Sequence, residues 1–220
     1  MGRAKEIIVK VIPAKLANDF VKKHHYSGKV VNNSILHFGC FLYGELHGVM
    51  SYGSPLDKRK VLPLVQPSQW NEMLELNRMA FDEYLPKNSE SRCIAVSFKL
   101  LKKNAPHIKW ILSFSDATQC GDGAIYRASG FVLTGIKENT GQRVDEANGK
   151  VYSQVTFSAH RPNDEEYWNS LKKLAGFQLR YIYLIDKTCK ITVPIIPFSE
   201  IEKAGAGMYK GIKKQSAVIV

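Results

Sequence analysis

Leu74-Glu75-Leu76-Asn77-Arg78-Met79-Ala80-Phe81, with the chain that follows it to Phe131, decides the fold. Its alternation, with Leu74, Leu76 and Ala80 in phase and Arg78 among them, predicts a strand. The loop Asp82 to Ser89 carries Pro86 and Asn88 and leads into the clearest helix, Ser91 to Asn104. Ile94, Ala95, Phe98, Leu100 and Leu101 form its apolar stripe, and Pro106 stops it. Lys109 to Phe114 reads as a buried strand. Gly121 to Ser129 reads as a helix with Ala124, Ile125 and Ala128 inward, ended by Gly130, and Phe131 to Ile136 as the next strand. A strand, a long helix and a second strand in this order predict a parallel pair joined by a crossover.

Outward from this unit, Lys5 to Ile12 alternates as a first strand. Pro13 opens a helix over Ala14 to His25, with Leu16, Phe20 and Val21 as its stripe and Tyr26-Ser27-Gly28 as its stop. Ser34 to Leu42 and His47 to Tyr52 read as two strands joined at Tyr43-Gly44-Glu45. Leu56 to Gln66 reads as a basic loop, and Ser68 as the cap of a short piece around Trp70 and Met73. Beyond the core, Val151 to Ala159 reads as a strand, Glu165 to Leu174 as a helix and Leu179 to Ile185 as a strand. Ile191 to Pro197 holds two prolines and suits a sheet edge. The expectation is a mixed α/β (α+β) fold whose largely antiparallel sheet contains one parallel pair. It fills one domain over residues 1–203, elaborated from about residue 160 onward, and a flexible basic tail follows over 204–220.

The composition excludes several classes. No run approaches the ~20 apolar residues of a membrane span, and Met1-Gly2-Arg3-Ala4-Lys5-Glu6 is no signal region. Cys40, Cys93, Cys120 and Cys189 are widely spaced, which suits free thiols in a cytoplasmic protein better than a disulfide scaffold. With 31 Lys and Arg against 20 Asp and Glu the net charge is +11. Such a balance favours nucleic acid as a partner, with a merely soluble basic surface as the alternative. A homodimer stays open.

Ile125-Tyr126-Arg127-Ala128-Ser129-Gly130-Phe131 resembles the apolar-Tyr-x-x-x-Gly-Phe ending of a helix in the GNAT acetyltransferase superfamily. The resemblance implies a sheet whose central strands splay apart, flanked by helices, with cofactor or substrate entering the gap. It also implies that Tyr126 protonates a leaving group, as a phenol of pKa ~10 can; the alternative is that Tyr126 packs between helix and sheet. Pro86-Lys87-Asn88-Ser89-Glu90-Ser91-Arg92 departs from the superfamily because no glycine lets the backbone reach a pyrophosphate. That argues against ordinary acetyl-coenzyme A use. Lys87, Ser89 and Arg92 remain side chains able to hold a phosphate.

Taken with His24-His25-Tyr26-Ser27, Glu75-Leu76-Asn77-Arg78, Ser113-Phe114-Ser115-Asp116 and Gly121-Asp122-Gly123-Ala124-Ile125-Tyr126, the pattern resembles the phage Mom family of DNA-modifying proteins. The resemblance covers most of the first 200 residues. It implies transfer of a small carbamoylmethyl-type group to adenine N6 in double-stranded DNA, protection from restriction, and an iron requirement. The alternatives are an acetyl-coenzyme A-dependent acetyltransferase of a small amine or protein, and a non-catalytic DNA-binding protein on the same fold.

For such a reaction the base must leave the stack. Asn77, Asn88 and Gln119 carry the donor–acceptor pattern for an adenine edge. Arg78, Ser91 and Asp122 complete the substrate-binding candidates. Asp116 is the candidate acceptor for an amino proton, with helix capping as its alternative, and Asp122 shares that ambiguity. Ser113 and Ser115 offer hydroxyls as donors or nucleophiles. His24, His25 and Tyr26 are the candidate metal ligands, set against a helix end that attracts His through its dipole. Lys58-Arg59-Lys60, in a loop, suits DNA phosphates.

Overall fold

The computed structural model describes residues 3–117, 121–205, 208–209 and 212–213. After a short 3-10 turn over Arg3–Glu6 come strand β1 (Ile8–Val11), helix α1 (Ala14–His24) and strands β2 (Ser34–Leu42) and β3 (Glu45–Gly53). Then follow α2 (Lys58–Val61), β4 (Val65–Gln66), β5 (Met73–Phe81), α3 (Ser89–Asn104), β6 (Trp110–Asp116), α4 (Ala124–Ala128) and β7 (Val132–Glu138). The remainder holds β8 (Gln142–Asp145), β9 (Lys150–Ser153), α5 (Gln154–His160), α6 (Glu165–Ser170), β10 (Lys172–Lys173), β11 (Phe177–Leu184), β12 (Lys190–Ile191), α7 (Ser199–Lys203), β13 (Met208–Tyr209) and β14 (Ile212–Lys213).

The main sheet has seven strands in the order β1-β2-β3-β5-β6-β11-β7. β1 with β2, β2 with β3, and β3 with β5 are antiparallel, while β5 and β6 run parallel across the α3 crossover. This is the mixed, mostly antiparallel arrangement expected. The chain divides into two compact units. The first comprises residues 1–114, 123–134 and 180–197; the second comprises 115–122, 135–179 and 198–220.

In the first unit α1 packs through Ala17 and Val21 against Ile12, Val49 and Ala80. α3 buries Cys93, Ile94, Ser97, Phe98 and Leu101, a stripe at helical spacing. Truncating a fully buried member such as Ile94 to Ala costs about 2–5 kcal/mol. A second cluster gathers Val61, Leu64, Val65, Met73, Trp110, Leu112 and Ile182. In the second unit β10, β8 and β9 form a small antiparallel sheet, and Phe157 stacks with Tyr167 beside it.

Several boundaries differ from the sequence reading. Val151–Ala159 is not one strand: β9 stops at Ser153 and α5 takes over. The expected helix to Leu174 ends at Ser170, because Lys172 and Lys173 pair with Val144 and Arg143. The basic loop contains α2, whose first turn is capped by Asp57 accepting from Lys60 N at 3.3 Å. Ser68 caps no helix; its hydroxyl accepts from Trp110 Nε1 at 2.8 Å. α4 begins only at Ala124, after Gly123 at φ 73°, where an added Cβ would lie 2.5 Å from the Tyr181 ring. Ile191 joins Lys190 in a two-residue strand against Val65 and Gln66, apart from the main sheet. Within the expected tail, Met208–Tyr209 pairs with Ile212–Lys213.

Candidate functional site

The parallel ladder between β5 and β6 is short. Met73 pairs with Trp110, Leu74 with Ile111 and Glu75 with Leu112, and there it ends although both strands continue. Just beyond the last pair, Ser113 Oγ donates to the Leu76 carbonyl at 2.9 Å. The two strands therefore form a fork whose crotch is pinned by one buried hydroxyl.

On the other side of β5 the ladder to β3 is also irregular. Ser51 pairs with Arg78 and Tyr52 with Leu76, so Asn77 is an extra residue with no partner on β3. A bulge of this kind kinks the strand and re-aims its side chains, and it recurs next to active sites. Here the re-aimed side chains are polar. Asn77 Oδ1 accepts from Ser34 Oγ at 2.9 Å, while Asn77 Nδ2 is buried with no hydrogen-bond partner among the described residues. Such an orphan donor costs about 1–3 kcal/mol unless a ligand or water meets it. Position 53 must be glycine to seat this amide, since a Cβ there would come 2.8 Å from Asn77 Nδ2 and closer still to the Asn33 carbonyl.

Arg78 turns toward the segment after α1, with Nε donating to Lys29 O at 2.9 Å and Nη1 to Asn77 O at 3.1 Å. Its charge is felt by two partly buried groups. Burial pushes the Glu75 carboxyl up to about 7, with Arg78 acting in the opposite sense. Burial pulls His25 down to about 4, and the Arg78 guanidinium adds to that. His25 is therefore neutral at neutral pH, whereas Glu75 is close to half ionised. Glu75 was missed as a site residue. Its type was readable, a lone carboxylate between Leu74 and Leu76, but its burial is a property of the folded packing.

The structure brings Asn77, Arg78 and Ser113 together at the fork. Ser113 is not a free nucleophile, because its hydroxyl is committed to Leu76. Tyr126 packs its ring 5.4 Å from Phe131 and 5.3 Å from Tyr181. Lys87, Asn88, Ser91 and Arg92 line a cleft of about 430 Å³ with Ala4 and Lys5 at the start of α3. Several of its polar groups already serve the chain. Ser91 Oγ donates to Asn88 O at 3.2 Å. Ser89, fully buried, does not line the cleft, and its Oγ donates to Pro86 O at 2.5 Å. Arg92 clasps the carbonyls of Ala4 and Lys5 at 2.5 and 2.9 Å. Asn88 precedes the helix at φ 68° and gives no side-chain cap.

Ser115, Asp116 and Asp122 fall in the second unit. Ser115 Oγ donates to Gly121 O at 2.8 Å, Asp116 accepts from Gln142 Nε2 at 3.2 Å, and Asp122 is buried. Gln119 lies outside the described residues. Lys58, Arg59 and Lys60 form most of α2, where Lys60 pairs with Asp57 at 3.0 Å and Arg59 is exposed.

Of the three candidate metal ligands, His25 and Tyr26 lie together, with ring centroids 4.3 Å apart, while His24 turns to another partner. His24 stacks on Phe20 one turn earlier, with ring centroids 4.3 Å apart. His25 Nδ1 accepts from Ser27 N at 3.1 Å, which leaves the ring proton of its neutral form on Nε2, the atom that would face a metal. Tyr26 is 54% exposed. No group of three or more His, Cys, Asp or Glu able to hold a metal occurs among the described residues. The residues as placed do not fit an iron site built on this trio.

The model of the Mom protein family matches residues 6–200. The chain belongs to the Mom protein family. Within it, the methylcarbamoylase mom of Escherichia phage Mu is 33% identical over 194 residues, covering 85% of this chain and 79% of that one. An N-acetyltransferase from Staphylococcus aureus aligns with 82% of this Mom-family chain and 99% of its own at a TM-score of 0.49 and 12% identity. The ribosomal-protein-S18-alanine N-acetyltransferase from Escherichia coli aligns with 82% and 94% at 0.48 and 10%.

Proposed function

We propose that this chain transfers a small carbamoylmethyl-type group to the N6 amino group of adenine in double-stranded DNA, acting in the cytoplasm of a host cell and protecting the DNA from restriction. The membership of the Mom family, with a relative named as a methylcarbamoylase, supports the reaction class. The observation that carries the site is the bulge at Asn77, where a buried amide donor without a partner among the described residues sits in one unit with a carboxyl that burial pushes up to about 7.

The chemistry fits these residues. An adenine amino group is a weak nucleophile because its lone pair is shared with the ring, so proton removal must accompany bond formation. As N6 bonds to the incoming carbon, the bond from that carbon to its leaving group breaks with its electron pair. N6 then gives up one proton. Glu75 takes that proton; being near half ionised at neutral pH, it is a stronger base than an ordinary carboxylate. Asn77 meets the adenine edge, its Nδ2 donating to a ring nitrogen and its Oδ1 accepting from the amino group. Arg78 holds the Lys29 carbonyl and adds to the burial that keeps His25 neutral. Tyr126 supplies the proton that the leaving group needs. Lys87 and Lys5, both lining the cleft at the α3 start, suit a negatively charged donor molecule.

The test is restriction of plasmid DNA prepared from cells that express the chain. Resistance to enzymes with adenine in their sites, lost in Asn77→Ala, is the expected result. Full sensitivity in cells holding folded protein would overturn the proposal.

A further inference from the structure

The segment 54–72, between β3 and β5, presents apolar side chains to solvent amid positive charge. Leu56 is 82% exposed and Trp70 is 49% exposed. Lys58, Arg59 and Lys60 lie between them in sequence, with only Asp57 to offset the three charges, and Asp57 is taken by Lys60. The Lys58 ammonium sits 5.1 Å from the centre of the Trp70 ring and 3.4 Å from Asn71 Oδ1, which ties the start of α2 to the far end of the segment. Val61, Leu64 and Val65 anchor the same segment in the core. The exposed part is thus held on a packed base.

Its position matters as much as its composition. The segment leaves the sheet at Gly53, the residue whose bare Cα seats the Asn77 amide. Asn33 Nδ2 donates to the Ser54 carbonyl and fixes that exit. From Gly53 to Leu56 the chain advances three residues, a reach of at most about 11 Å. A side chain that fills the place of an extruded base has to stand at this sort of distance from the pocket that receives the base.

We propose that the segment 54–72 is a duplex-opening wedge, in which Leu56 enters the base stack vacated by the target adenine while Lys58 and Arg59 hold the flanking phosphates. Exposed Leu, Ile, Met and Phe side chains do this in proteins that unstack and bend duplex DNA, and the apolar contact offsets the few kcal/mol that unstacking costs. Charge identifies the partner: a surface with a basic helix beside an apolar tip suits the phosphate backbone and the bases between it. The inference rests on the adenine-modifying reading and names how that site is reached.

The experiment compares the full chain with Leu56→Ala on a short duplex in which 2-aminopurine stands beside a target adenine in one strand, so that the target keeps its 6-amino group. Fluorescence reports unstacking, the anisotropy of an end label reports binding, and nucleoside analysis of plasmid DNA from expressing cells reports modification. At saturation the wild-type chain should raise the fluorescence. Leu56→Ala should saturate the same duplex with its affinity reduced by less than about threefold, yet lose most of the fluorescence rise and modify plasmid DNA roughly tenfold less. Because Leu56 is solvent-exposed, the thermal midpoint of the variant should match that of the wild type. A full fluorescence rise in Leu56→Ala overturns the wedge, as does a wild-type chain that modifies plasmid DNA without raising the fluorescence. A wild-type chain that neither binds the duplex nor modifies plasmid DNA overturns instead the reading on which the wedge rests.

Discussion

Ser113 spans the fork to Leu76, its hydroxyl donating to the Leu76 carbonyl at 2.9 Å immediately past the point where β5 and β6 cease to pair. The bond holds the strands together at the crotch and so sets where they begin to part. Ser113→Ala leaves that carbonyl short of a buried donor and should cost about 1–3 kcal/mol in denaturant unfolding. Ser113→Thr, which keeps the hydroxyl, should recover part of the loss. Equal stability of Ser113→Ala and wild type would mean that the bond is not holding the fork.

Glu75 should reveal itself in the pH dependence of stability. Its folded value of about 7 lies above the ordinary 4.5, so between those values the folded chain binds more protons than the unfolded one. Stability therefore falls as pH rises through this window, by roughly 3 kcal/mol in full. Glu75→Gln removes this dependence and should gain on the wild type as pH rises from 4.5 to 8, which paired denaturation curves would show. Activity runs the other way: modification by the wild type should rise with pH through about 7, and Glu75→Gln should lower it about 100-fold or more.

Gly53→Ala tests the seat of the Asn77 amide. A methyl there meets Asn77 Nδ2 at 2.8 Å and meets the backbone of Asn33, which cannot turn aside as a side chain can. Overpacking of this kind costs about 1–3 kcal/mol. Because the shift falls on Asn77, DNA modification should drop further than stability at a temperature where the variant is still folded. A variant that loses stability but keeps full activity per folded molecule would show that Asn77 need not be held in place.

Lys58 and Arg59 should carry salt-dependent affinity. Replacing either with Ala should weaken binding to any duplex sequence and reduce the slope of log affinity against log salt by about 1. Lys60, paired with Asp57, should matter less than Arg59. Titrations of a labelled duplex at several salt concentrations measure both effects.

The strand–helix–strand core was legible because β5, α3 and β6 each follow their own period, and Pro106 marks the stop between the last two. The stretch after Lys150 was not. Val151, Val155 and Phe157 satisfy a strand pattern, but packing of Phe157 with Tyr167 and Trp168 favours a helical turn, and tertiary contacts decided. At the site, Asn77 and Arg78 were legible as residues while the bulge that aims them was not. A bulge is a relation between two strands, and nothing in β5 alone shows that Ser51 and Tyr52 will skip Asn77. Glu75 escaped for a similar reason: a polar residue in an alternating strand reads as solvent-facing until its neighbours are known. His24 and His25 were legible as a pair at a helix end but not their partners: His24 turns to Phe20, and His25 to Ser27 and Tyr26.

The most direct measurement is mass spectrometry of nucleosides from plasmid DNA recovered from cells expressing the wild type, Asn77→Ala or Glu75→Gln at equal levels of folded protein. The account predicts a new deoxyadenosine species with the added mass of a carbamoylmethyl group in the wild type, and its near absence in both variants. Unmodified deoxyadenosine in the wild-type sample, or undiminished modification in both variants, would contradict it.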